Sequence, residues 1–313
     1  MLFVVLSGAA PQARADSCSA SMSSVSFGAV TPITRAASQA NGTLTVTCNW
    51  LAVTLTPRVL VCLNLAAASP RTLKNGAGAI QYDLYQDPAY SIPWGSTTLG
   101  TTPVSVTLKK PLVRGNVSVS TSVTIYGRIA ANQPTVPTVG NSSTVYVQDF
   151  SAADTMLNAD FYLLIPPSCA TAGGSTGAFT FEADATVLNS CNVSATNVAF
   201  GAAGLLDSAL NATGSLNVQC TNNDAYRIAL DGGASASVAA RNMRRPGGGT
   251  VGYQLYLDSA HTAPWGDGSG GTSMATFTGT GSTQTIPVYG VVPAQKAPAP
   301  GNYSDTITAT ISF

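Results

Sequence analysis

The segment Tyr82-Asp-Leu-Tyr-Gln-Asp-Pro-Ala-Tyr-Ser-Ile-Pro-Trp-Gly95 returns without a gap as Tyr253-Gln-Leu-Tyr-Leu-Asp-Ser-Ala-His-Thr-Ala-Pro-Trp-Gly266, with eight of fourteen positions identical. Three more landmarks recur in the same order. Cys18 is followed nine residues later by Phe27-Gly28, and Cys191 nine residues later by Phe200-Gly201. The next cysteine comes 30 residues after Cys18, at Cys48, and 29 after Cys191, at Cys220. Ile125-Tyr126-Gly127 is echoed by Val288-Tyr289-Gly290. Ordered self-similarity of this kind marks a tandem duplication, so one fold must serve both copies. The copies are expected at 16–177 and 178–313, each long enough to bury its own core.

Both copies read as β-structure. Tyr303, Ile307, Ala309, Ile311 and Phe313 alternate with Ser304, Thr306, Thr308, Thr310 and Ser312. A period of two belongs to a half-buried strand. Leu44–Cys48 and Leu216–Cys220 alternate likewise. Composition agrees: Glu occurs once, at Glu182, and Lys four times, whereas helices favour both on their surfaces. Only 151–160 has room for a helical turn. Short strands punctuated by Gly, Pro and Asn predict an all-β sandwich in each copy.

Charge and side-chain chemistry exclude several functions. Only 9% of residues are charged, and 14 basic side chains balance 14 acidic ones. A chain this neutral has no electrostatic footprint for nucleic acid or an anionic membrane. The single histidine, His261, rules out His-rich metal sites and leaves one candidate base for a triad. With one His and one Glu, no acid–base or nucleophilic constellation assembles, so neither enzyme activity nor a metal or cofactor is implied. The repeat gives a control for single residues. Trp94 and Trp265 are equivalent and read as packing residues, and Asp87 and Asp258 as turn-capping carboxylates. His261 stands where the first copy has Tyr90 and reads as a surface-loop residue. Arg241, Arg244 and Arg245, beside Pro246-Gly-Gly-Gly249, read as a solvated hairpin tip.

Residues 1–15 read as a signal peptide: an apolar run from Leu2 to Ala10, then the small-x-small site Ala13-Arg14-Ala15, with the mature chain from Asp16. Six cysteines in an exported chain predict three disulfides. The duplication pairs Cys18 with Cys48 and Cys191 with Cys220, leaving Cys62 and Cys169 for each other. A loop of about 30 residues closed in this way contributes roughly 3–4 kcal/mol in the chain-entropy model.

Together, the Cys-x8-Phe-Gly opening, the cysteine about 30 residues on, the Tyr-x-Leu-Tyr-x-Asp…Trp-Gly block and Gly301-Asn-Tyr-Ser-Asp305 resemble the spore coat protein U-like domain. That domain forms subunits of archaic, Csu-type chaperone–usher pili. The first copy departs from the pattern at Gly140-Asn-Ser-Ser-Thr-Val-Tyr146 and in a longer tail through Pro167.

The resemblance implies two tandem immunoglobulin-like pilin sandwiches that lack their last strand, which a neighbour's N-terminal extension supplies. The second copy, ending at Phe313, is expected to lack that strand. Five unfilled apolar pockets would forfeit roughly 7–15 kcal/mol, as much as a domain's whole stability. Its implied partners are a periplasmic chaperone, an outer-membrane usher and an adjacent pilin subunit donating a strand to 178–313. The first copy is expected to be completed in cis by 178–188. There Phe179, Phe181, Ala183, Ala185 and Val187 share one face, with Thr180, Glu182, Asp184 and Thr186 opposite. The other reading of that segment is a plain interdomain strand or linker.

Only Asp16 and Ser17 precede Cys18 in the mature chain, too few to donate a strand. A subunit that accepts but cannot give ends the polymer. The resemblance therefore implies a tip adhesin, exported through the periplasm to the cell surface and contacting a host or abiotic surface. A structural spore-coat or extracellular matrix protein of the same family is the alternative. For the contact surface, ten residues separate Cys48 from the next strand, against five after Cys220. The longer loop is apolar, and Trp50 is the tryptophan without a repeat partner. Trp50, Leu51, Val53 and Leu55 either form an exposed adhesive loop or extend a strand into the core. Met156-Leu157 and Phe161-Tyr162 form a second candidate region.

Overall fold

The computed structural model describes residues 15–313; the expected signal peptide, apart from Ala15, lies outside the described residues. The chain forms two compact units. One takes the chain up to Gly28, Ala37–Ala130 and Tyr146–Ala185; the other takes Ala29–Ala36, Ala131–Val145 and Thr186–Phe313. Relative to a division after residue 177, the first unit runs on to 185, and 29–36 and 131–145 belong to the second. Hydrogen bonds hold them there: Gln219 Nε2 donates to Ile33 O (3.3 Å), Asn222 Nδ2 to Thr135 O (2.7 Å) and Asn141 Nδ2 to Ala225 O (3.0 Å).

The first twelve strands are β1 (Ser17–Met22), β2 (Val25–Val30), β3 (Ser38–Trp50), β4 (Arg58–Leu65), β5 (Arg71–Asn75), β6 (Gly78–Tyr85), β7 (Val104–Lys109), β8 (Val117–Ile129), β9 (Thr144–Phe150), β10 (Thr155–Tyr162), β11 (Ser175–Gly177) and β12 (Phe181–Val187). They make one sheet in the order β1-β3-β8-β6-β5-β9-β12-β2 and a second in the order β11-β10-β4-β7. The remaining strands are β13 (Cys191–Ala195), β14 (Leu210–Cys220), β15 (Ala225–Leu230), β16 (Arg241–Arg244), β17 (Thr250–Tyr256), β18 (Ala275–Thr278), β19 (Gln284–Val292) and β20 (Ala309–Ser312). They form sheets ordered β13-β14-β19-β17-β16 and β18-β15-β20.

Pairing repeats as the sequence does. β3 pairs with β1 and β8, as β14 pairs with β13 and β19. β4 pairs with β7 and β10, as β15 pairs with β18 and β20. Cys18 faces Cys48, and Cys191 faces Cys220, across adjacent antiparallel strands, with Cα atoms 4.1 and 4.0 Å apart, and both pairs are disulfides. The third disulfide joins Cys62 to Cys169, 107 residues away.

Trp94 and Trp265 are fully buried, and each indole N–H donates to a strand carbonyl, Leu63 O (2.8 Å) and Ile228 O (2.9 Å). A buried indole needs such a partner. The 151–160 segment is not helical. Asp154 caps a tight turn by accepting from Ser151 N–H (2.8 Å), and β10 then pairs along β4. That pairing satisfies the backbone that a helical turn would otherwise have closed on itself.

Candidate functional site

Two features distinguish otherwise parallel units. The first is β12, hydrogen-bonded between β9 and β2. Phe179, Phe181, Ala183, Ala185 and Val187 are all buried, while Glu182 is exposed. Phe181 stacks on Phe150 (centroids 4.3 Å, planes 12° apart), and Trp94 stacks on Phe181 at 5.8 Å and on Phe179 at 6.1 Å. Ser26 Oγ donates to Asp184 Oδ2 (2.9 Å) and Leu188 N to Val30 O (3.0 Å), so β2 and β12 run in the same direction. Beside them Val25, Phe27, Tyr146 and Phe150 are buried.

The equivalent face of the second unit is half-open. Gly127 and Gly290 show the equivalence. A Cβ on Gly127 would lie 2.8 Å from Val25 and 2.9 Å from Phe27; one on Gly290 would lie 2.6 Å from Val198 and 2.9 Å from Phe200. Yet Val198 and Phe200 are only partly buried, as are Tyr303, Ile307, Ala309 and Ile311, and Phe313 is exposed. The alternation of 303–312 is present, but its apolar face is not covered. Among the described residues the second unit has no counterpart of β12.

The second feature is an end of the first unit where three loops meet. Arg58 at the start of β4 is paired with Lys109 at the end of β7 and with Tyr162 at the end of β10, while Trp50 at the end of β3 pairs with Val117 at the start of β8. Register thus brings together loops 51–57, 110–116 and 163–168. Val53 (86% exposed), Leu55 (83%), Leu164 (75%) and Ile165 (85%) project from them, and Leu112 is fully exposed. Beneath these tips the backbone is fastened. Asp16 accepts from Leu51 N–H (2.8 Å) and Thr54 Oγ (2.7 Å). Buried Lys110 donates to the Leu51 and Ala52 carbonyls, and Asn116 Oδ1 accepts from Ala52 N–H (2.7 Å). The third loop is bounded by Tyr162, paired to β4, and Cys169, bonded to Cys62 on β4. Corresponding connections in the second unit are polar: Thr221-Asn-Asn-Asp224 and Gly279-Thr-Gly-Ser-Thr283.

The sequence pattern of the Spore Coat Protein U domain matches residues 5–148 and again residues 177–310. The chain belongs to the Spore Coat Protein U domain family. It is 38% identical over 108 residues to Protein U of Myxococcus xanthus, a match covering 32% of this chain and 59% of that protein. Among solved structures it is similar to the chaperone–tip adhesion subunit pre-assembly complex from archaic chaperone-usher Csu pili of Acinetobacter baumannii. That likeness has a TM-score of 0.52 and 18% identity, covering 96% of this chain and 100% of the other.

Within the two Spore Coat Protein U domains several expectations need correction. Trp50 is not part of an exposed loop: it is 1% exposed, packs edge-on to Phe161 (5.8 Å) and donates to Thr56 O (3.2 Å). Pairing with Val117 carries β3 one turn of the pleat further than the loop reading supposed, which turns the indole into the core. Leu51 is half-buried; Val53 and Leu55 remain outside. In the second candidate region Leu157 is core, with Met156, Phe161 and Tyr162 half-buried along β10. Arg241 does not belong to a solvated tip either. It is buried, donating to Leu230 O (3.1 Å), Asp231 O (2.8 Å) and Gln254, charge-assisted bonds that keep a buried guanidinium satisfied.

Asp87 accepts from Ser91 N–H (3.0 Å) and Ile92 N–H (2.7 Å), and Asp258 from Thr262 N–H (3.1 Å) and Ala263 N–H (2.8 Å). Both carboxyls lie below their ordinary range: at Asp87 desolvation is the largest single influence and pushes upward, but the Ile92 and Ser91 bonds together outweigh it, and at Asp258 the Ala263 N–H contributes most. They close turns in which Tyr90 and His261 both take φ +57°. Sequence reasoning missed the 110–116 and 163–168 loops. Leu112-Val113 and Leu163-Leu164-Ile165 flanked by Pro residues were the available signal.

Proposed function

We propose that this chain is the tip adhesin subunit of an archaic chaperone–usher pilus, mediating surface attachment and biofilm formation. One observation carries the reading: equivalent positions are buried in the first domain, beside β12, and half-open in the second. In this reading 178–188 is a donor strand used in cis. The second domain accepts a strand from a periplasmic chaperone, and then from an adjacent pilin subunit at the outer-membrane usher. An open sheet face of alternating apolar residues is suited to strand addition, with backbone bonds giving affinity and pockets giving specificity. The likeness in fold to a chaperone-bound tip subunit supports this assignment.

The adhesive surface in this reading is the end bearing Val53, Leu55, Leu112, Leu164 and Ile165. Exposed apolar side chains clustered on one end call for a contact that covers them, and the connections 221–224 and 279–283 of the second domain are polar. Burying each contributes about 1.5–3 kcal/mol before ordering costs, and many pili per cell multiply a weak contact by avidity. The test is co-expression with the chaperone, expected to give a soluble one-to-one complex. Labelling of intact cells with antibody against 16–177 then decides position. Label at fibre ends supports the tip assignment; uniform label over a coat or matrix without fibres overturns it in favour of a structural protein.

A further inference from the structure

The apolar loops share their end of the first unit with cations. Arg58 opens β4, Lys109 closes β7 and Arg114 lies in the connection to β8; all three are exposed. Arg58 and Lys109 stand directly opposite each other in the ladder, an arrangement of like charges that destabilises a sheet. Loops 51–57, 110–116 and 163–168 contain no Asp or Glu. The neighbouring carboxylates are otherwise placed: Asp16 holds Leu51 and Thr54, and Asp160 is half-buried on β10. Among the described residues the ion pair joins Arg71 to Asp83, so no carboxylate neutralises these three cations. Overall neutrality therefore conceals a local cationic rim, and the exclusion of anionic membranes drawn from total charge does not extend to this end.

We propose that these loops dock on an anionic phospholipid bilayer. Val53, Leu55, Leu112, Leu164 and Ile165 enter its interface, and Arg58, Lys109 and Arg114 meet the phosphates. The proposal rests on reading these loops as the adhesive surface. Its argument is the order of groups with depth. Apolar side chains occupy the loop tips, and Arg58 and Lys109 are strand-end residues behind them. A protein entering a bilayer meets phosphates outermost and hydrocarbon beneath, so tips reach hydrocarbon while Arg58 and Lys109 stop at the headgroups, and the long Arg114 side chain can reach back to them. An uncharged apolar solid would account for the tips and leave the opposed cations without a role.

The experiment floats the purified one-to-one complex of the chain with its chaperone, which covers the half-open face of the second unit, with phosphatidylcholine vesicles, with or without phosphatidylglycerol, and scores attachment of piliated cells to uncharged polystyrene. Recovery on anionic vesicles is expected to be about tenfold higher at low salt, shrinking as ionic strength rises. Arg58→Ser with Lys109→Ser and Arg114→Ser should abolish that preference while attachment to polystyrene persists. Leu112→Ser with Leu164→Ser should abolish both. Equal recovery on the two vesicle types, or none on either while cells still attach to polystyrene, overturns the bilayer proposal and leaves the adhesive reading standing. Undiminished attachment in the double leucine variant overturns the adhesive reading itself.

Discussion

Phe181 and Phe150 lie face to face, their ring centroids 4.3 Å apart, although β12 is reached only after the chain has left the sheet for β10 and β11. The strand returning from that excursion inserts between β9 and β2 and buries four alternating side chains, with Phe179 buried just ahead of it. Removing it would leave β9 and β2 without the strand they share and uncover Trp94 and Phe150.

Phe181→Ala should therefore cost about 3–5 kcal/mol of stability in the first unit. Phe181→Asp should prevent that unit from folding, since the carboxylate would be buried without a partner. Thermal unfolding and limited proteolysis of the full chain report this, with fragments of the second unit as internal reference. Wild-type melting in Phe181→Asp would place the segment outside the core.

A second copy of residues 178–188, fused after Phe313 through a flexible linker, should stabilise the second unit. Covering Val198, Phe200, Tyr303, Ile307 and Ile311 removes apolar surface from water, at about 25 cal/mol per Å². Higher resistance to urea in the fusion, absent when the added strand carries Asp at the Phe181 position, is the expected result. No gain would mean that the half-open face does not accept a strand.

Trp50 and its loop neighbours should separate cleanly. Trp50→Ala opens a cavity in the first unit and should lower its stability by about 3–5 kcal/mol. Val53→Ser with Leu55→Ser should stay within about 0.5 kcal/mol of wild type, as exposed substitutions usually do, while reducing surface attachment. Equal destabilisation by both would place Val53 and Leu55 inside.

Asp16 and Lys110 grip opposite sides of the Leu51 peptide, one accepting from its N–H and the other donating to its C=O. Asp16→Ala should speed amide exchange at Leu51 and weaken attachment without altering β3 to Trp50. The lost charge-assisted bonds amount to roughly 1–3 kcal/mol locally. Unchanged exchange at Leu51 would show that the loop is held by Lys110 and Asn116 alone.

Burial raises the Asp224 carboxyl above its usual value of about 3.9, with the Thr138 hydroxyl bond offsetting part of the shift; its Oδ2 has no partner. A carboxyl raised by folding contributes stability that is full below its unfolded pKa and lost as pH rises through the folded one. The second unit should therefore weaken from acid towards neutral pH through this group. Asp224→Asn should raise the melting temperature more at neutral than at acid pH. A pH-independent difference between variant and wild type would sink this assignment.

Sequence alone determined what depends on local periodicity and on repetition. Tyr82–Gly95 recurring at Tyr253–Gly266 established two like domains. The alternation of Phe179 to Val187 gave that segment one apolar face, and matched cysteine spacing paired Cys18 with Cys48 and Cys191 with Cys220. Three matters were settled only by tertiary pairing. Whether Trp50 ends a strand or begins a loop depends on Val117, 67 positions away, offering it a partner. Whether Arg241 is solvated depends on the carbonyls of Leu230 and Asp231 meeting it. That Val53, Leu112 and Leu164 share one end follows from Arg58 being opposite both Lys109 and Tyr162. Periodicity tells a side chain which face of its own strand it occupies. Register between strands distant in sequence decides what that face meets, and it is set by the summed burial of the whole sheet rather than by any local stretch.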